Sequence, residues 1–244
     1  MIKMKTTVII IFSLLTVELN GQTHSLHAGG AYYEFNELKG NTFGAGYDFL
    51  KSTPKNTTSI SLGWQRGFLD MKDDEILFNN ISLTVARGYK WLGEKRSRFL
   101  GYAGFSVDLN PSLIRRMGDE SNRYSWNTTN TFNLYQLYTY HWKNSSLLLN
   151  IHLPLIGLAS SPDSNTVYAQ NKTAAVYNSY SNLFFTSPDN FKAIQLSIGY
   201  KKDLSKRFQL SLEYQYSYSD LKEKVPVSMK TSGLQLGLSY HLLP

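Results

Sequence analysis

Five histidines, a few acidic clusters and the absence of cysteine bound the chemistry open to this chain. Without cysteine there is no thiolate nucleophile, no thiolate metal site, no disulfide and no lipid-modified N-terminal cysteine. Nucleophilic catalysis would need a hydroxyl beside a histidine base, with a third group orienting the pair. The histidines are His24, His27, His141, His152 and His241. His141 precedes Ser145 by four residues across a predicted turn. His152 is the best single candidate for a base, although a lone histidine is more often a satisfied polar group. Asp73, Asp74 and Glu75 carry oxygens that suit a divalent cation. Nothing fixes their geometry, so a solvated acidic turn is the simpler reading, and Asp119-Glu120 reads alike. Gly29-Gly30 and Gly44-x-Gly46 lack the helix that a phosphate-cradling loop needs. No cofactor is implied. The 25 Lys and Arg exceed the 18 Asp and Glu, but they are dispersed among turns with no basic stripe between aromatics, which argues against nucleic acid.

The elements that must position these residues are legible in composition and periodicity. The chain has 244 residues with 17 Tyr, 13 Phe and 4 Trp, yet only 18% charged residues, against about 25% in ordinary soluble domains. Residues 1–21 have the form of a signal peptide. Lys3 and Lys5 make a positive start, Val8 to Val17 an apolar stretch, and cleavage after Gly21 would leave Gln22 first. Glu18 and Asn20 interrupt the apolar run too early for a membrane anchor. Residues 22–244 form the second unit.

That unit alternates with a period of two. In 208–219, Phe208, Leu210, Leu212, Tyr214, Tyr216 and Tyr218 fall on one face and Gln209, Ser211, Glu213, Gln215, Ser217 and Ser219 on the other. Only a β-strand sorts such a sequence into two pure surfaces. Ile194, Leu196, Ile198 and Tyr200 oppose Gln195, Ser197 and Gly199; Leu234, Leu236, Leu238, Tyr240 and Leu242 oppose Gln235, Gly237, Ser239 and His241. Leu147, Leu149, Ile151 and Leu153 oppose Asn150 and His152. Weaker copies lie at 42–49, 60–65 and 81–86, while 25–35, 98–108 and 131–142 are extended with ambiguous parity. The pattern predicts about ten strands of about 9–12 residues, with eight or twelve as alternatives, the length of tilted membrane strands.

Such strands close in one of two ways. A soluble barrel turns its apolar faces inward; a membrane barrel turns them to lipid and lines its lumen with polar groups. Connection length favours the second. The even connections 50–57, 91–97, 143–146 and 201–206 are short, whereas the long ones, 109–130 and 155–190, are both odd. Outer-membrane barrels have short periplasmic turns and longer outer loops. Aromatics agree, since predicted strand ends carry Tyr47, Phe49, Tyr89, Trp91, Phe99, Tyr140, Trp142, Tyr200, Phe208 and Tyr240 on one side. The other side carries Tyr32, Tyr33, Phe35, Trp64, Phe68, Phe78, Phe191, Tyr216 and Tyr218. Rings with polar tips favour the membrane interface.

The C-terminal run Gln235-Leu-Gly237-Leu-Ser-Tyr240-His-Leu242 resembles the assembly signal of bacterial outer-membrane β-barrels, with Leu243-Pro244 added past the usual end. The resemblance implies an all-β, transmembrane, antiparallel up-and-down barrel in the outer membrane of a Gram-negative cell, recognised by the barrel-assembly machinery. That class includes lipid and peptide hydrolases, but the deacylase-like pairing of His and Ser two apart near the outer rim is absent. The expected luminal polar residues are Glu213, Gln209, Gln215, Gln195 and His241, in a narrow and largely filled lumen. Glu213 calls for a cationic or hydrogen-bonding partner, with Arg66 and Arg87 as possibilities. Arg115, Arg116 and Arg123 suit lipopolysaccharide phosphates. The loop 155–190, with Tyr168, Tyr177 and Tyr180, suits a glycan or envelope protein partner, or folds over the mouth on its own side chains, or holds a hairpin (166–170 with 173–177). The leading expectation is a non-catalytic accessory or surface-interaction barrel. A narrow channel and an outer-membrane lipid or peptide hydrolase are the alternatives.

Overall fold

The computed structural model describes residues 22–242 except 37, 72–73, 95–96, 117–122, 161–168, 170 and 223–226; for 71, 74, 75, 116 and 123 it describes the backbone. The leader 1–21, Asp73, Asp119, Glu120, Tyr168 and the side chains of Asp74, Glu75, Arg116 and Arg123 therefore lie outside what is described. The elements are β1 (Gln22–Phe35), β2 (Leu38–Ser52), β3 (Asn56–Met71), β4 (Asp74–Leu92), β5 (Phe99–Arg116), β6 (Arg123–Trp142), β7 (Ser145–Ser160), α1 (Lys172–Ser181), β8 (Phe184–Thr186), β9 (Phe191–Asp203), β10 (Phe208–Leu221) and β11 (Val227–Leu242).

Ten of these strands close into an antiparallel barrel. Each neighbours the next around the wall, β11 pairs with β1, and β6 pairs with β7 to complete the ring. β8 is a short addition beside the far end of β7. Closure leaves no sheet edge, which hydrocarbon would not tolerate. Two-residue turns with Asn36 at φ 52° and Lys143 at φ 47° supply the left-handed first residue that matches strand twist in a tight hairpin.

The alternation decides which face meets what. Leu210 and Leu212 are each 45% exposed and Leu236 is 61% exposed, while Gln195, Gln215 and Gln235 line the interior. Leu212 pairs with Leu236, and Leu210 and Leu26 each pair with Leu238, so the outer face of adjoining strands forms a continuous apolar band. This is a membrane-spanning barrel. Exposed Tyr47, Tyr89, Trp91, Phe99, Tyr140, Tyr200 and Phe208 ring the short-turn end, with Phe208 against Tyr240 at 5.5 Å.

Several expectations need correction. The barrel strands run 13 to 20 residues rather than 9–12, because β5 continues to Arg116, β6 begins at Arg123 and β7 continues to Ser160. The Asn/Ser/Thr-rich stretch 109–130 is thus mostly strand. Beyond the lipid the outer face no longer meets hydrocarbon, so the alternation that lipid enforces is not required there. The hairpin at 166–177 is absent as drawn, since residues 172–181 form a helix, and ten strands rather than eight or twelve close the wall. Tyr33, Phe78 and Phe191 do not belong to an outer girdle. They are buried inside the loop end, Tyr33 with Leu69, Ile76 and Ile114, its ring 4.3 Å from that of Phe78, and Phe191 with Ala159, Leu221 and Val227. The strands here have risen past the apolar band, and the interior packs like a small protein core.

Replacing Leu236 by Lys should lower the unfolding free energy in phospholipid vesicles by about 2–4 kcal/mol, read from urea titration of tryptophan fluorescence. A loss near zero would mean that this side chain does not face lipid.

Candidate functional site

Inward-facing positions on four neighbouring strands build one polar site. Register places Thr84 on β4 beside Asp108 on β5, and Asp108 beside Thr131 on β6. The next row sets Ser106 beside Asn133, and the row below sets Tyr135 beside His152 on β7. All these side chains share one face because each strand turns every second residue inward.

The hydrogen bonds tie them together. Asn133 Nδ2 donates to Asp108 Oδ2 at 2.7 Å and to Ser106 Oγ at 3.0 Å. Ser106 Oγ lies 2.7 Å from His152 Nδ1, and Asp108 Oδ2 lies 3.8 Å from the same nitrogen. The Tyr135 ring meets the His152 ring edge-on at 5.2 Å. Asp108 and Asn133 are fully buried and Ser106 nearly so.

Serine, histidine and aspartate side by side invite comparison with a hydrolytic triad, but the geometry is wrong for one. In a triad the serine and the carboxylate occupy opposite nitrogens of the imidazole, so that one accepts a proton while the other is steadied. Here both approach Nδ1. Ser106 is also screened from the lumen, whereas His152 lines it. His152 therefore does not form a triad with Ser106 and Asp108. It sits in the middle of β7. Ser106 and Asp108 escaped the sequence reading because the parity of 98–108 was ambiguous; inward facing at i and i+2 was the available signal.

The lumen is not filled as expected. A cavity of about 340 Å³ runs along it, lined among others by His27, Asp48, Asn150, Gln195, Glu213 and Gln215. Glu213 takes its hydrogen bond from Gln215 Nε2 at 3.0 Å, and Gln215 exchanges amide bonds with Gln235 at 3.1 and 3.2 Å. Arg66 and Arg87 are not its partners. Both point outward, and Arg87 lies over the Tyr89 ring at 5.6 Å. His27 pairs with Asp48 at 3.2 Å, and Gly46 leaves the room its imidazole needs, since a Cβ there would overlap the ring.

The remaining expected residues divide by depth. Gln209 and His241 face inward at the short-turn rim, where Gln209 Nε2 donates to Asp203 Oδ1 at 2.7 Å and His241 Nδ1 lies 2.9 Å from Thr23 Oγ1. In the C-terminal run, Gln235 reaches the cavity, Gly237 is buried in the wall, and Tyr240 and Leu242 hold the alternate face on the strand that closes the barrel. Tyr177 and Tyr180 are exposed on α1. Among the described residues no group of three or more His, Asp or Glu is placed to hold a metal ion.

A closed antiparallel wall with an apolar belt outside and polar groups within defines the membrane-spanning β-barrels. No protein-family model matches the sequence, and no curated protein matches it. Solved structures match its fold. The outer-membrane protease OmpT of Escherichia coli aligns with a TM-score of 0.56 at 10% identity, over 91% of this chain and 97% of that one. The transport unit of the autotransporter AIDA-I from Escherichia coli gives 0.49 at 10% identity, over 96% of each chain. Neisserial surface protein A gives 0.43 at 9% identity, over 91% and 97%. The fold is that of bacterial outer-membrane β-barrels; at these identities the likeness is one of fold alone.

Asn133 is the donor on which the buried cluster depends. Asn133→Leu should cost about 1–3 kcal/mol, since Asp108 Oδ2 and Ser106 lose it together, whereas Ser106→Ala should cost about 1 kcal/mol. Urea midpoints of the two variants, measured side by side, check the order.

Proposed function

We propose that the chain is an outer-membrane protein of a Gram-negative cell, exported by its N-terminal segment and inserted by the barrel-assembly machinery through β11. It works there as a non-catalytic surface-interaction barrel with its loop end facing outward. Its partner is a glycan or an envelope protein. The observation that carries this reading is the contrast between the two sides of the loop end. Inside, apolar side chains pack together at the loop end: Leu69 and Phe78 are wholly buried and Tyr33 almost so. On top, α1 is a built surface rather than loose chain.

Asn171 caps that helix, its Oδ1 accepting from Ala174 N at 2.8 Å, which satisfies one of the first-turn donors. The inner face sets Ala175 against Trp126 and Ala169, and Trp126 Nε1 donates to Ser160 Oγ at 3.1 Å. The outer face presents Val176, Tyr177 and Tyr180, with Tyr177 71% exposed. Tyr177 and Tyr180, three residues apart, are neighbours on one helix face. A rigid pair of tyrosines offers apolar area and hydrogen bonds at little entropic cost, which suits sugar rings and protein loops. Arg115, at 5.9 Å over the Tyr124 ring, lies where lipopolysaccharide phosphates would meet the wall.

Such packing narrows the mouth, which argues against a constitutive channel. Planar bilayers containing the purified barrel should show no discrete conductance steps, and the paired change Tyr33→Ala with Phe78→Ala should introduce them. Steps in the unaltered protein would overturn the narrowed-mouth reading. On an array of surface glycans and envelope proteins, Tyr177→Ala with Tyr180→Ala should weaken binding by about tenfold while the barrel keeps its folded mobility on gels. Equal binding by both forms, or none by the unaltered one, would contradict the surface role.

A further inference from the structure

The charges of this chain are not spread evenly along the barrel. The short-turn segments 51–56, 90–98, 143–144 and 201–207 carry eleven Lys and Arg and only two acidic residues, Glu94 and Asp203. The rest of 22–244 holds twelve basic residues against fifteen acidic. The net positive charge therefore belongs to the short-turn end. One of its two carboxylates is engaged locally, since Asp203 Oδ1 accepts from Gln209 Nε2 at 2.7 Å. A basic rim beside a bilayer attracts anionic heads over about a Debye length.

One residue carries this attraction onto the lipid face itself. Arg87 on β4 points outward, paired with Thr58 on β3 and with Phe105 on β5, and Phe105 is 51% exposed. Val85 and Tyr89 flank it on the same face, both exposed. Tyr89 stands in the aromatic ring of the short-turn end. Arg87 lies two residues beyond it toward the bilayer centre, about 5 Å at about 3.3 Å per residue and about 40° tilt. A guanidinium facing lipid is costly at the midplane, and the cost falls toward the interface. The side chain reaches the aromatic ring, with its Cζ 5.6 Å over the Tyr89 ring.

Among the described residues no carboxylate pairs with Arg87. The face of Tyr89 steadies the cation without neutralising it. The anion that meets this spot from outside the wall is the phosphate of a lipid head, which a planar guanidinium grips with two parallel N–H donors. The neighbouring turns add charge. Lys90 N donates to Lys55 O at 2.8 Å, so the β2–β3 and β4–β5 connections lie side by side, with Lys55 and Arg98 exposed. Trp91 and Phe99 each lie 6.1 Å from the Tyr138 ring and continue the aromatic wall toward β6.

We propose that Arg87 and Tyr89, with the basic turns around Lys55 and Arg98, form a binding site for the head of an anionic glycerophospholipid in the leaflet that the short-turn end meets. Arg87 takes the phosphate, the turns favour a head of net negative charge, and the aromatic rings pack against the glycerol. Phosphatidylcholine brings the same phosphate with a cation of its own, which the turns repel. The site is independent of the surface role proposed for α1, and either can fail while the other stands.

Native mass spectrometry of the purified barrel, given equal amounts of phosphatidylglycerol and phosphatidylcholine, counts the lipids it retains. The expected result is phosphatidylglycerol in about tenfold excess, the scale of one charge-assisted contact. Arg87→Gln should bring that excess below about threefold, and Tyr89→Leu should lower it part of the way. Arg66 is the control: it also points outward, but ten residues up β3 from Asn56, far from the basic turns. Arg66→Gln removes the same charge and should leave the excess unchanged. In vesicles, adding phosphatidylglycerol to phosphatidylcholine should raise the urea midpoint of the unaltered protein and of Arg66→Gln more than that of Arg87→Gln. Equal retention of the two lipids, an excess that survives Arg87→Gln, or the same loss from Arg66→Gln as from Arg87→Gln would each overturn the proposal.

Discussion

A strand in hydrocarbon must give every backbone N–H and C=O to a neighbour, and that requirement governs the rest of this molecule. It forces the sheet to close, which β11 achieves by pairing with β1 along its whole length. Once the wall is closed, the two-residue period of each strand leaves only one assignment of faces. Leucine, isoleucine and the aromatic rings meet lipid, and glutamine, serine, asparagine and histidine are committed to the inside. The polar interior is thus a consequence of the solvent outside. It need not be an adaptation to a substrate.

A committed polar interior must still satisfy itself, and the protein does so unevenly. Below the loop end, amides bond amides, as between Gln215 and Gln235, and Asn133 serves two acceptors at once. A cavity remains where the side chains do not meet. At the loop end, where the wall stands clear of lipid, the interior turns apolar and packs on itself. The barrel therefore reads from one end to the other as a polar, partly hollow tube leading to apolar clusters, with a capped helix at the loop end.

How much of this was legible in the sequence follows from the same physics. Wherever one face meets lipid, alternation is enforced, and β9, β10 and β11 were readable residue by residue. Leu147, Leu149, Ile151 and Leu153 were placed outward correctly on β7, and the register shift beyond them was not visible. Past the membrane the enforcement ends. Arg123-Tyr-Ser-Trp-Asn-Thr-Thr-Asn130 looked like loop and is strand, and Tyr33 and Phe78 looked like interface anchors and pack inside the loop end. The Asp108–Asn133–Ser106–His152 cluster was hidden for a different reason. Its members come from three strands, and hydrogen bonds across a closed wall depend on the register of every strand between, which no local pattern encodes. Tyr177 and Tyr180 were recognised as surface residues by composition, while the helix presenting them was not, because its pattern of apolar residues is weak.

The most direct test of the central claim is a spin-label scan of β10, one cysteine at a time from Phe208 to Leu221, in phospholipid vesicles. Oxygen accessibility, which reports on acyl chains, should be high at positions 208, 210, 212 and 214 and low at 209, 211, 213 and 215. A scan in which the odd positions meet oxygen, or in which the period of two vanishes, would show that the greasy face of these strands does not look outward and that the barrel is not a membrane barrel.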